Sequence, residues 1–131
     1  LQERGYLLRQ RYQPGWEASW VRSGTSHVYS EDGIRGAQSS IMDATRTSDG
    51  AHVMLKISRV DEYPDEVPIA EFFSSTALAA DSRNHCVPIY EILRPDLNDI
   101  VIMVLPLRYD LQCLKFNTIG EAVECFRQMF E

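Results

Sequence analysis

The sequence predicts an α+β domain: an antiparallel β-sheet with one helix packed on it, followed by the start of a further helix. Three observations predict it. Asp49-Gly50 stands between two apolar runs, a strong hairpin signal. Ile69, Phe72, Phe73 and Thr76 then recur at helical spacing. Finally, Val87 to Leu93 and Ile100 to Leu105 are apolar runs joined by the turn-rich Arg94-Pro-Asp-Leu-Asn-Asp99.

Residues 1–36 carry no clear periodicity and are read as an N-terminal extension. Pro14-Gly15 marks a turn there, Trp16 and Trp20 are expected to cover the edge of the core, and Gly24 to Gly36 reads as loop. The sheet begins with a strand from Ser40 to Thr45. After Thr47-Ser-Asp-Gly50, Ala51 to Arg59 is its hairpin partner. Pro68 to about Ala80 is the helix, with Pro68 in its first turn, where a missing N–H costs nothing. Val87 to Leu93 and Ile100 to Leu105 form a second hairpin, and Pro88 is tolerated near a strand start. Pro106 stops the ladder, and Leu107 to Phe116 connects. Thr118-Ile-Gly-Glu121 is a capping box, and Ile119, Ala122, Val123, Phe126, Met129 and Phe130 then make an amphipathic helix. The boundaries are therefore 1–36, 37–105 and 106–131.

The 131 residues suit one domain or part of one, and 44% hydrophobic with 24% charged content is globular. A net charge of −6 disfavours a non-specific nucleic-acid partner. The longest apolar run, Ile100 to Leu107, is too short to span a bilayer. Cys86, Cys113 and Cys125 have neither metal-ligand spacing nor a disulfide framework. They fit a reducing, intracellular setting, taken as cytoplasmic, and Cys86 and Cys125 are expected to be buried.

Function is sought in Val53-Met54-Leu55-Lys56-Ile57. The chain holds two lysines, Lys56 and Lys115, and the first interrupts a β-rich apolar run. Alternation places Val53, Leu55 and Ile57 on one face and Met54, Lys56 and Ser58 on the other. The ammonium either snorkels past a sheet edge or reaches a cleft, where Glu66 or Glu71 can orient it for phosphate contact. No Gly-x-x-x-x-Gly-Lys-Ser/Thr loop and no nucleophile elbow occurs, and His27, His52 and His85 fit no triad pattern.

The order of hairpin with Val-Met-Leu-Lys, helix, Val-Pro-Ile-Tyr-Glu-Ile-Leu and Ile-Val-Ile-Met-Val-Leu-Pro-Leu resembles the N-terminal lobe of the protein kinase fold. More narrowly, Arg11-Tyr-Gln-Pro-Gly-Trp16, Asp43-Ala-Thr-Arg46, Ser48-Asp-Gly50 and Arg83-Asn-His-Cys-Val-Pro88 resemble kinase-like proteins of basidiomycete fungi. The resemblance implies that Lys56 holds the α- and β-phosphates of ATP. Glu66 best matches its helix partner, with Glu71 as the fallback. Ile41 would roof the adenine, Leu105 matches the gatekeeper, and Pro106, Leu107 and Arg108 match the hinge.

Three departures accompany the match. Gly36 alone falls on a glycine-loop position. Met54 stands where the family has a small alanine over the adenine. The His-Arg-Asp and Asp-Phe-Gly motifs are absent from these residues. The resemblance therefore implies an ATP-binding lobe whose Mg²⁺ ligands and substrate base belong to a missing C-terminal lobe. Phosphoryl transfer to Ser/Thr hydroxyls is the activity implied for a longer parent chain. A pseudokinase with Met54 filling the adenine pocket, or a small α+β interaction domain, are the alternatives. Without its large lobe, the chain is expected to leave Leu107, Phe116 and the last helix under-covered. The implied partners are that lobe and a protein, not a nucleic acid or a membrane.

Overall fold

The structure is a computed structural model that describes residues 1–33, 40–96, 99–108 and 115–130. It is α+β, as the sequence predicts. Strands β1 (Tyr6–Leu8), β2 (Ile41–Arg46), β3 (His52–Arg59), β4 (Glu91–Leu93) and β5 (Ile100–Pro106) form one antiparallel sheet in the order β1-β2-β3-β5-β4. The hairpin at Asp49-Gly50 closes as expected. Gly50 adopts a left-handed φ of 72°, open to glycine at little cost. The Asp49 carboxylate accepts N–H bonds from Nε and Nη2 of Arg46, at 2.9 and 2.6 Å, and from the Ala51 backbone.

The sheet is strongly curled. Four strand spacings of about 4.8 Å would hold β1 and β4 about 19 Å apart in a flat sheet. Instead the Tyr6 hydroxyl on β1 donates to Glu91 Oε2 on β4 at 2.6 Å, and Arg4 donates to Glu91 Oε1 at 3.0 Å. Inside the curl, Tyr6, Ala44, Val53, Leu55, Leu93 and Val104 form a core, with Val53 and Val104 wholly buried. Ile57 shares this face by alternation, but it is 39% exposed. The short β1 pairs only with Ala44 to Arg46 and does not reach that row.

Against the outer face lies α2 (Glu66–Phe73), whose Val67 packs with Val101, Met103 and Leu105, flanked by Met54, Ala70, Ile89 and Ile92. This corrects the expected helix from Pro68 to Ala80. Pro68 stands third in α2, where backbone N–H groups have no helical partner. Ser74 and Ser75 end the first helix, and α3 (Thr76–Ala79) follows. The break is held by hydrogen bonds. The Asn84 amide donates to the carbonyls of Phe73 (2.8 Å) and Leu78 (2.9 Å), and the Ile89 N–H donates to Ser74 Oγ (3.0 Å).

The expected stripe is corrected too. Ile69 and Phe72 are 54% and 63% exposed, while Val67 and Ala70 pack on the sheet and Phe73 is half-buried. At 100° per residue Val67, Ala70 and Phe73 share one side of the helix, with Phe72 opposite that side and Ile69 on its flank.

The strand expected from Val87 is only Glu91–Leu93. Pro88 brings no ladder donor, and the chain first meets β5 where the Tyr90 N–H donates to the Val104 carbonyl at 2.8 Å. The extension contributes β1, so part of 1–36 belongs to the sheet. It also holds α1 (Ser19–Ser23). Trp16 and Trp20 pack edge-on against each other (5.7 Å), and Trp20 against His27 (6.4 Å). Cys86 is exposed and Cys125 half-buried, against the expectation of burial.

Helix α4 (Ile119–Phe130) starts as the sequence predicts. The Glu121 N–H donates to Thr118 Oγ1 at 3.2 Å, and Glu121 accepts the Asn117 N–H at 2.7 Å. Its apolar residues stand in solvent, with Ile119 and Phe130 each 84% exposed. Leu107 and Phe116 are also exposed.

Candidate functional site

The site is built on β3 because a strand fixes side-chain direction with period two. Met54, Lys56 and Ser58 therefore point to the same face. Antiparallel register adds their neighbours: Ile41 lies opposite Lys56 on β2, and on β5 Leu105 lies opposite Met54 and Met103 opposite Lys56. Six residues, Val60 to Asp65, then return the chain over this face. The Tyr63 N–H donates to the Arg59 carbonyl (2.8 Å) and the Val60 N–H to the Asp99 carbonyl (2.9 Å), which tightens the return. Arg59 pairs with Asp61 and Glu62 at 3.3 and 3.0 Å, so part of the acidic run neutralises its own strand end.

The return delivers Glu66 as the first residue of α2. Its carboxylate pairs with the Lys56 ammonium through Oε1 and accepts the Ser58 hydroxyl through Oε2. The two hydrogen bonds, first from Lys56 and then from Ser58, hold the Glu66 carboxyl below the usual carboxylate range, against the opposing effect of burial. The positive end of the α2 dipole also favours the anion there. The pair is partly buried: the Lys56 and Glu66 side chains are 34% and 27% exposed. An ammonium has three donors, and Glu66 is its partner among the described residues, so donors remain for an acceptor from the open side.

Of the residues singled out from the sequence, the structure brings Lys56 and Glu66 into contact and sets Ile41, Met54 and Leu105 on the same sheet face. Glu71 is exposed on α2 and takes no part. Leu105 is buried in the core beneath α2, and Met54 is half-buried beside it. Pro106 ends β5 opposite Val53, and Arg108 is exposed beyond the strand. Gly36 lies outside the described residues. Ser58 was missed as a site residue. Its signal was its place two residues after Lys56, on the same face, in a row that α2 covers.

Farther along that face, an open groove of about 410 Å³ is lined by Leu7, Arg9, Gln13, Asp43, Thr45 and His52, among others. Arg9 and Asp43 pair across it at 2.6 Å and neutralise each other's charge. The groove and the ammonium are thus different places. At Lys56 a lysine, a carboxylate and a buried hydroxyl converge.

Comparison with protein-family models, with curated proteins and with solved structures finds no match to this chain. No helix among the described residues is long and apolar enough to cross a membrane. Among the described residues no group of His, Cys, Asp or Glu could hold a metal ion.

Proposed function

We propose that this chain is the ATP-binding lobe of a protein-kinase-like domain, with Lys56 as the residue that contacts the α- and β-phosphates. The observation that carries the reading is the Lys56–Glu66 ion pair between a central strand and the first residue of the helix packed on it. A carboxylate in that place keeps a flexible lysine extended along one direction, with donors left for phosphate oxygens. Two further features support it: the curled sheet with order β1-β2-β3-β5-β4, and the apolar Ile41, Met54 and Leu105 beside the ammonium. In this reading Ile41 roofs the adenine, and Pro106 and Arg108 offer backbone groups to its edge.

Phosphoryl transfer to Ser/Thr hydroxyls would belong to a longer parent chain, because these residues contain neither His-Arg-Asp nor Asp-Phe-Gly. Mg²⁺ would be bound there. Lys56 itself does electrostatic work: it lowers the energy of charge on the phosphate oxygens and fixes their position.

The reading is tested by titrating the chain with ATP in a calorimeter. Lys56→Met is expected to weaken binding by about tenfold to a hundredfold, the loss of a charge-assisted contact. Equal affinity in wild type and Lys56→Met removes the phosphate-anchoring role.

One observation favours a second reading, a non-catalytic pseudokinase. Met54 packs against the core that includes Leu105, and in this second reading it takes up the room of an adenine. If Met54 occupies that place, wild type binds ATP poorly and Met54→Ala binds it several-fold more tightly. If the adenine fits beside the thioether, Met54→Ala leaves affinity unchanged or lower.

A further inference from the structure

Glu66 opens α2, so no preceding helical turn packs against it to hold its rotamer. A carboxylate in that position would sweep a wide arc unless something else fixed it. Ser58 is 1% exposed, and a buried hydroxyl needs a partner. Its donor goes to Glu66 Oε2. Lys56 and Ser58 stand two residues apart on one face of β3, about 7 Å along the strand. Glu66 therefore bridges two rows of that strand, one oxygen to each.

We infer that Ser58 is a positioning residue: it holds one oxygen of Glu66 so that the other faces the Lys56 ammonium, and the pair stands assembled before any phosphate arrives. The inference takes its purpose from the phosphate-anchoring reading, while the arrangement itself stands on geometry. The far end of α2 is tied as well. Ser74 Oγ accepts the Ile89 N–H, and the Phe73 carbonyl accepts the Asn84 amide. A swing of α2 that parted Glu66 from Lys56 would have to break contacts at both ends. The site is thus preassembled, and its occupancy is governed by ligand concentration rather than by movement of the helix.

The test uses the whole chain in wild-type, Ser58→Cys and Ser58→Ala forms. Carbon-13 NMR follows the Glu66 carboxyl through its titration, and calorimetry measures ATP affinity. Cysteine keeps the shape with a weaker donor, and alanine removes the donor. The expected order is Ser, Cys, Ala: Glu66 titrates at progressively higher pH, and ATP binding weakens by up to about tenfold in Ser58→Ala. A structural role alone would shift melting without moving the Glu66 titration. The same Glu66 titration in all three forms overturns the inference. So does unchanged ATP affinity in Ser58→Ala while Lys56→Met loses it. Should Ser58→Ala not fold, Ser58→Cys carries the same two readouts. Wild type that binds no ATP sinks the phosphate reading alone, and the Glu66 titration still decides for or against Ser58.

Discussion

The two faces of the curled sheet are made from alternate residues of the same strands. Val53 and Leu55 point inward to a core closed over by Tyr6 and Glu91, and Met54, Lys56 and Ser58 point outward beneath an eight-residue helix. The inner face holds the buried core of Tyr6, Ala44, Val53, Leu55, Leu93 and Val104, with Ile57 left exposed at its end. The outer face is covered by α2 over β5, while Ile41 and Asp43 on β2 are half-buried. A partly covered face leaves a lysine and a carboxylate within reach of water, yet it shields them enough to make their contact directional. One strand can therefore hold an apolar core on one side and a paired charge on the other.

The largest expected effect comes from the inner face. Leu55→Ala should lower unfolding stability by about 2–5 kcal/mol in urea titrations, since the buried leucine leaves a cavity. On the proposed ATP-binding reading, the affinity of the folded fraction should not change. A loss of affinity matching that of Lys56→Met would break the division between the faces.

Next is the seam between β1 and β4. Tyr6→Phe should cost about 1–3 kcal/mol, because Glu91 loses its 2.6 Å partner inside a partly buried contact and keeps only Arg4. The effect depends on pH in a defined direction. Burial, followed by the hydrogen bond to Glu91, pushes the Tyr6 phenol up to about 12 from an ordinary 10.0. A raised pKa means that this contribution is fully present below pH about 10 and is lost as pH rises toward about 12. The gap between wild type and Tyr6→Phe should therefore close in alkali. A gap that stays constant to high pH removes the hydroxyl from the seam.

The smallest expected stability effect is on the outer face. Glu66→Gln should cost about 1 kcal/mol, because the group is partly solvated and part of its worth is screened. The Glu66 carboxyl is depressed in the folded state, first by Lys56 and then by Ser58. Its contribution is therefore present above the ordinary value of 4.5 and is lost as pH falls through the lower folded value. Other carboxylates, Glu91 and Asp49 among them, are depressed as well, so wild type loses stability in acid from several sources. The diagnostic is the difference between wild type and Glu66→Gln, which should vanish in acid and persist in alkali. That is the reverse of the Tyr6 pattern.

Much of the outer face was legible in the chain. Turn chemistry at Asp49-Gly50 and period-two alternation place Lys56, Met54 and Ser58 together without reference to anything distant, because both are properties of adjacent residues. The capping box at Thr118 and Glu121 was equally local. The choice between Glu66 and Glu71 was not, since it depends on where α2 begins and which side turns to the sheet. Pro68 marked a helix start correctly in kind but two residues late. The exposed Ile69 and Phe72 mimicked a core stripe, because periodicity reports an apolar side and not what covers it.

By itself, then, the sequence determined the hairpin, the strand that carries Lys56, the face that lysine shares, and the amphipathic pattern of the last helix. These follow from backbone geometry over a few residues. Only the tertiary structure decided that Tyr6–Leu8 joins the sheet, that the sheet curls until β1 and β4 share a hydrogen bond, and that Glu66 meets Lys56 and Ser58. Tyr6 and Glu91 are 85 residues apart. Contacts of that separation form only when the whole apolar core is gathered, because burying Val53, Leu55 and Val104 together is what brings the two edges within reach.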